Sequence, residues 1–307
     1  MRLKTQDILN QAYTKYGIAA FNIFNAEQIH GVFKGASEAN VPVIVQITPV
    51  ARNYIGVEFL KGMITAAEEI YGEVNFSVHL DHGNTEHCKR AIESDFYNSV
   101  MIDASHENFE NNITITTEIV KRAHDKGISV EAELGVLSGV EDEIDIDSRK
   151  AKYTDPDQAV EFVERTGCDS LAIAAGTSHG AYKFKGSTGL NFEILKRIQI
   201  FLPEFPLVLH GASSVPDEEI QRINNAGGKI RSDAKGIAYD ELLNAIQLGV
   251  TKINIATDLR LIWTRVHREF FMNSPELFDL VIPGEKYIEE LKLFVKHKCQ
   301  SLVVSKK

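Results

Sequence analysis

Short apolar, β-rich runs recur along this chain, and longer amphipathic stretches separate them. The runs are Ile18–Ile23, Val43–Ile47, Phe76–Leu80, Ser99–Ile102, Ser129–Leu134, Ser170–Ala174, Leu207–Leu209 and Lys252–Ile255. Their largely unbroken apolar character predicts strands covered on both faces, as in a parallel sheet. Between them, segments such as AEQIHGVFKGASEAN, GVEFLKGMITAAEEIYG, NITITTEIVKRAHDKG and DPDQAVEFVERTG space their apolar residues for helices. Several stop at a glycine (Gly72, Gly127, Gly167), the residue that most easily ends a helix. Eight strand–helix alternations in 307 residues predict an α/β fold, a (β/α)8 TIM barrel. A doubly wound open sheet would carry a glycine-rich turn after its first strand, and AAFNIFNAEQ has none. With no Pro-rich linker, residues 1–307 read as a single catalytic-size domain. The tail from Ser274, including GEKYIEELKLFVKHKCQSL, predicts extra C-terminal helices outside the barrel. The glycine-rich, charged NNAGGKIRSDAKGIAYDE reads as a loop over the barrel mouth or as an inert connector.

Composition narrows the function classes. Apolar residues make up 44% and charged residues 25%, ordinary for a globular protein. A net charge of −10 argues against a broad nucleic-acid-binding face but not against anionic small molecules, because a pocket can be locally positive. Cys88, Cys168 and Cys299 are far apart and odd in number, so they read as reduced thiols. The N-terminus is amphipathic rather than signal-like, and no apolar stretch would span a bilayer. The expectation is a cytoplasmic protein that engages neither membrane nor nucleic acid.

Barrel enzymes place their chemistry where strands end. Here those ends carry Asn22, Gln46 with Thr48, Asp81-His82, Asp103, and Glu133 two residues after Glu131 on the same strand face. Beyond them come His179 in GTSHG, His210-Gly211, and Asn254 followed by Ile255, Ala256, Thr257 and Asp258. A single histidine at a strand end is most often a hydrogen-bonded structural residue. Three at one mouth, His82, His179 and His210, match an open zinc site with room for substrate. His30, His79, His87, His106, His124, His267 and His297 read as structural. On a regular strand Asp81 faces away from its neighbour His82. It reads either as a general acid/base beside the metal or as a loop-capping carboxylate. Asp103 and Glu133 either offer a second metal position or orient the histidines. The segments Gly180, Gly211-Ala212-Ser213 and Asn254-Ile255-Ala256-Thr257 follow strand ends, where backbone N–H groups bind phosphate. Lys183 adds a positive charge there or is a solvated loop lysine.

These residues resemble the class II, zinc-dependent ketose-bisphosphate aldolases, which act on fructose or tagatose 1,6-bisphosphate. The resemblance spans almost the whole chain. It is carried by AFNIFN (20–25), HLDHG (79–83), SVMIDASH (99–106), SVEAELG (129–135), GTSHGAYKFKG (176–186), PLVLHGAS (206–213) and KINIATD (252–258). It implies that His82, His179 and His210 hold a catalytic Zn2+. Asp81 would be the acid/base at the C4 hydroxyl, and Asp103 and Glu133 a second or alternate metal position. Glu141, in the mobile-looking loop GVLSGVEDEID, would move a proton at the carbon of dihydroxyacetone phosphate. Asn22 and Asn254 would contact substrate; Gly180, Lys183, Gly211, Ser213 and Thr257 would cradle the ketone-half phosphate. Arg260 would reach the distal phosphate, in some relatives from a neighbouring subunit, which implies a homo-oligomer (dimer or tetramer). A monovalent cation is a further possibility that the resemblance raises. The implied reaction is retro-aldol cleavage to dihydroxyacetone phosphate and glyceraldehyde 3-phosphate, with the metal as electron sink. An imine route needs a lysine at a strand's C-terminal end, and Lys252 opens its strand at the other end. Two departures point to the tagatose type: Ala256 where fructose relatives often carry an acid, and Pro49 in TPVARNYIG. GTSHGAYKFKG and GGKIRSDAKG point to the fructose branch. Alternatives are an aldolase of another phosphorylated keto sugar or sugar acid, and a non-catalytic sugar-phosphate-binding barrel.

Overall fold

The computed structural model describes residues 1–136, 139–141, 144–146, 152–177, 189–231 and 236–304, with backbone alone at 139–141 and 144–146. Eight parallel strands close into a barrel. They are β1 (Ile18–Asn22), β2 (Val43–Ile47), β3 (Phe76–Gly83), β4 (Ser99–Ile102), β5 (Ser129–Leu134), β8 (Ser170–Ile173), β9 (Leu207–Leu209) and β10 (Val250–Ile255). Their order around the barrel is β1-β10-β9-β8-β5-β4-β3-β2. Every strand expected from the apolar runs is present. Two run further than expected: β3 continues through Asp81 and His82 to Gly83, and β10 begins at Val250.

The period of two along each strand divides two environments. One face of each strand (Phe21, Val43, Val45, Val78, Leu80, Val100, Val130, Ala132) joins the main apolar core beneath the helices. The other face fills the barrel. Near its N-terminal end Ile18, Ala20 and Ile44 pack on Ile8, Leu9 and Ala12 of α1 (Thr5–Ala12), which plugs that opening. Toward the C-terminal end the same inner positions become Asn22, Gln46, Asp81 and Asn254, all buried. A polar floor therefore lies just under the mouth, where the site is built.

Helix boundaries follow side-chain chemistry. Asn25 caps α2 (Ala26–Ala39) by accepting from the Gln28 N–H, and Asp155 caps α7 (Pro156–Thr166). Gly167 ends α7 at φ 68°, the left-handed conformation that glycine adopts without cost. The tail forms α12 (Val281–Ser301), which packs on α2 outside the barrel. Glycine makes this packing possible: a Cβ at Gly35 would lie 2.6 Å from the Lys292 carbonyl oxygen.

Around Glu141, where a loop was expected, the described backbone is paired. It forms a two-stranded antiparallel hairpin, β6 (Gly139–Glu141) with β7 (Ile144–Ile146). The short alternation of β-branched and acidic residues accounts for this. The described part of NNAGGKIRSDAKGIAYDE lies between α9 (Asp217–Asn225) and α10 (Tyr239–Gln247). Its Gly236 backbone rests on Ser213 and Ser214, beside the barrel mouth.

Candidate active site

The end of β3 departs from regular strand geometry, and the departure builds the site. Asp81 and His82 would face apart on a regular strand. Instead the pairing register with β4 shifts between Leu80 and Gly83, and His82 adopts φ 48°. A non-glycine residue there costs roughly 1–2 kcal/mol, the kind of strain found at functional sites. The expected opposition of the two side chains is thereby overturned. Asp81, His82 and His210 each present a ligand atom to a common point, all within 4.8 Å of one another.

Each imidazole is fixed by a carboxylate. His82 Nδ1 lies 2.9 Å from Asp103 Oδ2, and His210 Nε2 lies 2.8 Å from Glu131 Oε1. The other nitrogens, His82 Nε2 and His210 Nδ1, face each other at 2.9 Å. Two nitrogens bound at about 2.0–2.1 Å to a tetrahedral zinc lie about 3.3 Å apart, so this pair fits a shared ion. Burial, reinforced by the nearby His82, pushes His210 below the usual histidine range, which favours the neutral imidazole that a metal requires. Burial would raise Asp103, but hydrogen bonds from His82 and Ser105 outweigh it and hold the carboxyl below its usual range. Glu131 is likewise held down against burial by the Lys252 charge and the His210 hydrogen bond.

Asp81 is fully buried, and both its oxygens are positioned by amides. Asn22 Nδ2 donates to Oδ2 at 2.7 Å and Asn254 Nδ2 to Oδ1 at 3.2 Å. Gln46 Nε2 in turn donates to Asn22 Oδ1 at 3.0 Å, fixing the Asn22 amide's orientation. The Asn254 carbonyl oxygen is buried and has no hydrogen-bond partner among the described residues. A buried acceptor left open beside two imidazoles and a carboxylate suits an incoming donor or cation.

His82, Asp103 and Glu133 form a second group within 4.8 Å, sharing His82 with the first. Asp103 thus both orients His82 and belongs to a second possible metal position. Expected ligand His179, with Gly180 and Lys183, lies outside the described residues. So does the Glu141 side chain.

The expected phosphate residues line the turn after β9 and the start of α11 (Thr257–Asn273). Gly211 has φ 61°, and Ala212 and Ser213 are buried. Ala256 is the N-cap residue of α11 and Thr257 its first residue, so N–H groups of a helix terminus open here. Ala212 and Ile255 are buried, so they can serve a ligand through backbone groups only. Arg260 is not drawn into the cluster: its guanidinium lies over the Phe24 ring, 4.8 Å from the centroid, in a groove with Tyr54 and Trp263.

The sequence placed Glu131 on the same strand face as Glu133 but gave it no role. It lies at the centre of the buried network, bonded to Lys252 Nζ at 2.7 Å as well as to His210. Lys252 is therefore a paired structural ammonium, not an amine poised to form an imine. His79 belongs to the same floor, between Ser99 and Lys252. His30 pairs with Tyr71, His124 with Asp169, and His267 stacks on Trp263, away from the cluster. The period-two face of β5 was the available signal for Glu131, and an inward lysine on β10 was its counterpart.

A closed parallel barrel with carboxylate-backed imidazoles at its C-terminal mouth defines a barrel enzyme of the metal-assisted class. The family model "Fructose-bisphosphate aldolase class-II" matches residues 3–307. A fructose-bisphosphate aldolase of Helicobacter pylori is 40% identical over 299 residues, covering 97% of this chain and 95% of the relative. That of Giardia intestinalis is 44% identical over 283 residues, covering 90% and 86%. The solved YdjI aldolase of Escherichia coli K12 superposes with a TM-score of 0.78 at 32% identity, covering 98% and 97%. The chain belongs to the class II fructose-bisphosphate aldolase family, whose members are metal-dependent lyases with zinc as the known cofactor. Among the described residues no helix is long and apolar enough to cross a membrane.

Proposed function

We propose that this protein, one catalytic domain over residues 1–307, reversibly cleaves a ketose 1,6-bisphosphate to dihydroxyacetone phosphate and glyceraldehyde 3-phosphate. The observation that carries the reading is the convergence of Asp81, His82 and His210, each already oriented by a hydrogen-bonded partner. His82 Nε2 and His210 Nδ1, with His179, would hold the catalytic Zn2+. When bound, that ion supplies a Lewis acid that takes up the electrons of the broken C3–C4 bond. Asp81 removes the C4 hydroxyl proton; with both oxygens anchored, it reaches the substrate without reorganising. Asn254 donates to the charge that develops on the ketone half. Glu141 moves the proton at the nucleophilic carbon. Asp103 and Glu133 would offer the metal an alternate or second position.

Backbone groups of Gly180, Gly211, Ala212, Ser213, Ile255, Ala256 and Thr257, with Lys183, hold the ketone-half phosphate. Arg260 lies outside the cluster, and it serves the distal phosphate of a neighbouring subunit in a homo-oligomer. The three cysteines are free and buried, which supports a cytoplasmic location.

The relatives' names support fructose 1,6-bisphosphate as a substrate. Ala256 at the α11 N-cap, and Pro49 opening α3 (Pro49–Ile55), support acceptance of its C4 epimer, tagatose 1,6-bisphosphate. The two sugars differ at one hydroxyl, so one or two hydrogen bonds decide preference. Side-by-side kcat/KM measurements on both sugars, repeated on Ala256→Asp, test this. A comparable rate on both, shifting toward fructose in the variant, supports relaxed selectivity. Strict fructose preference in the native protein rejects it.

A further inference from the structure

The turn after β9 is braced from outside the barrel by two buried charges that have no part in the metal cluster. Asp258, in the first turn of α11, is buried, and its two oxygens accept from consecutive backbone groups. Oδ2 takes the Ser214 N–H at 2.7 Å and Oδ1 takes the Val215 N–H at 2.8 Å. Val215 stands at φ 44°, a conformation that a β-branched residue adopts only when its surroundings compel it. From the far end of the chain, Lys298 of α12 donates to Ser214 Oγ at 2.7 Å and is itself buried. A third support is backbone: Ile237 N–H donates to the Ser213 carbonyl, and Gly236 lies so close that a Cβ there would meet the Ser213 and Ser214 carbonyl oxygens.

This geometry points to Asp258 and Lys298 as positioning residues that hold the 211–215 turn as a preformed phosphate cradle, with Lys298 cancelling the carboxylate's charge toward the phosphate. The inference rests on the reading of Gly211–Ser213 as that cradle. By occupying the Ser214 and Val215 N–H groups, Asp258 fixes the end of the turn that directly follows the proposed cradle. A carboxylate so near a bound dianion would repel it, and a buried ammonium on the same turn removes that penalty. The two charges act on each other: burial pushes Lys298 below the usual lysine range while Asp258 opposes that shift. Helix α12 thereby has a function beyond covering α2.

The test measures kcat, KM for fructose 1,6-bisphosphate, competitive inhibition by inorganic phosphate, zinc content and Tm on the full-length zinc enzyme. The variants are Asp258→Asn, Lys298→Met, Ser214→Ala and Ser213→Ala. Asp258→Asn and Lys298→Met are expected to weaken phosphate inhibition and raise KM by about tenfold, with kcat and zinc content little changed, as loss of a charge-assisted contact predicts. Ser214→Ala removes the lysine's partner without stranding a charge, so it keeps the test readable if Lys298→Met fails to fold. It should raise KM by about threefold. If Ser213→Ala weakens phosphate while the brace variants lower only Tm, the positioning role is overturned and the cradle stands. If Ser213→Ala leaves both KM and phosphate inhibition unchanged, the cradle reading falls and the brace with it.

Discussion

His82 holds a left-handed backbone in the middle of a paired segment, and that single torsion brings it round to Asp81's side. Its carboxylate partner Asp103, and Glu131 behind His210, then settle which nitrogen of each ring faces the shared point. The residue identities were legible: Asp81, His82 and His210 stand at strand ends within specific motifs. The torsion was not, because the alternation rule assumes an unbroken pleat and no glycine occupies position 82. Glu131 was legible only as sharing a strand face with Glu133, since period two gives a face and not a partner. Two predictions belong here. Asp81→Ala should retain zinc and lose about 10²–10⁴-fold in kcat, the usual contribution of a positioned acid/base; near-native turnover would remove Asp81 from that role. Glu131→Gln should weaken zinc binding about 10–100-fold, read by competition with a chromogenic chelator. Unchanged affinity in that variant would reduce Glu131 to a packing element.

At the scale of elements, all eight barrel strands were visible because strands buried on both faces are written as apolar runs. The β6–β7 hairpin was not, since three-residue strands rich in acidic side chains carry no such signal. The tail helix was legible, but its seat on α2 was not: it depends on Gly31 and Gly35, four apart and so on one helix face. A Cβ at Gly31 would lie 2.9 Å from Leu291 Cβ as well as 2.8 Å from its Cγ and Cδ2, and one at Gly35 would lie 2.6 Å from both the Lys292 carbonyl oxygen and Val295 Cβ, so neither neighbour can turn aside. Gly35→Val should therefore destabilise by about 1–3 kcal/mol, as overpacking does. Differential scanning calorimetry should show Tm lowered by at least about 2 °C, with zinc content retained. A native Tm would mean that α12 moves away from α2 without cost.

Across the whole molecule, the barrel interior passes from an apolar plug at α1 to a polar floor of Glu131, Lys252 and His79, and then to the cluster. That gradient lets titratable groups be buried in pairs while the apolar core lies outside the strands. It also places the cluster at the mouth, where the turn after β9 and the α11 N-terminus present backbone groups despite a net charge of −10 on the chain. The central claim is that cleavage depends on a divalent ion held at His82 and His210. The direct measurement is cleavage of fructose 1,6-bisphosphate by protein of known metal content, before and after chelation and after zinc is restored. The account predicts about one tightly held zinc per chain, no cleavage once it is removed, and recovery on its return. Undiminished cleavage by protein shown to be free of divalent metal would contradict it.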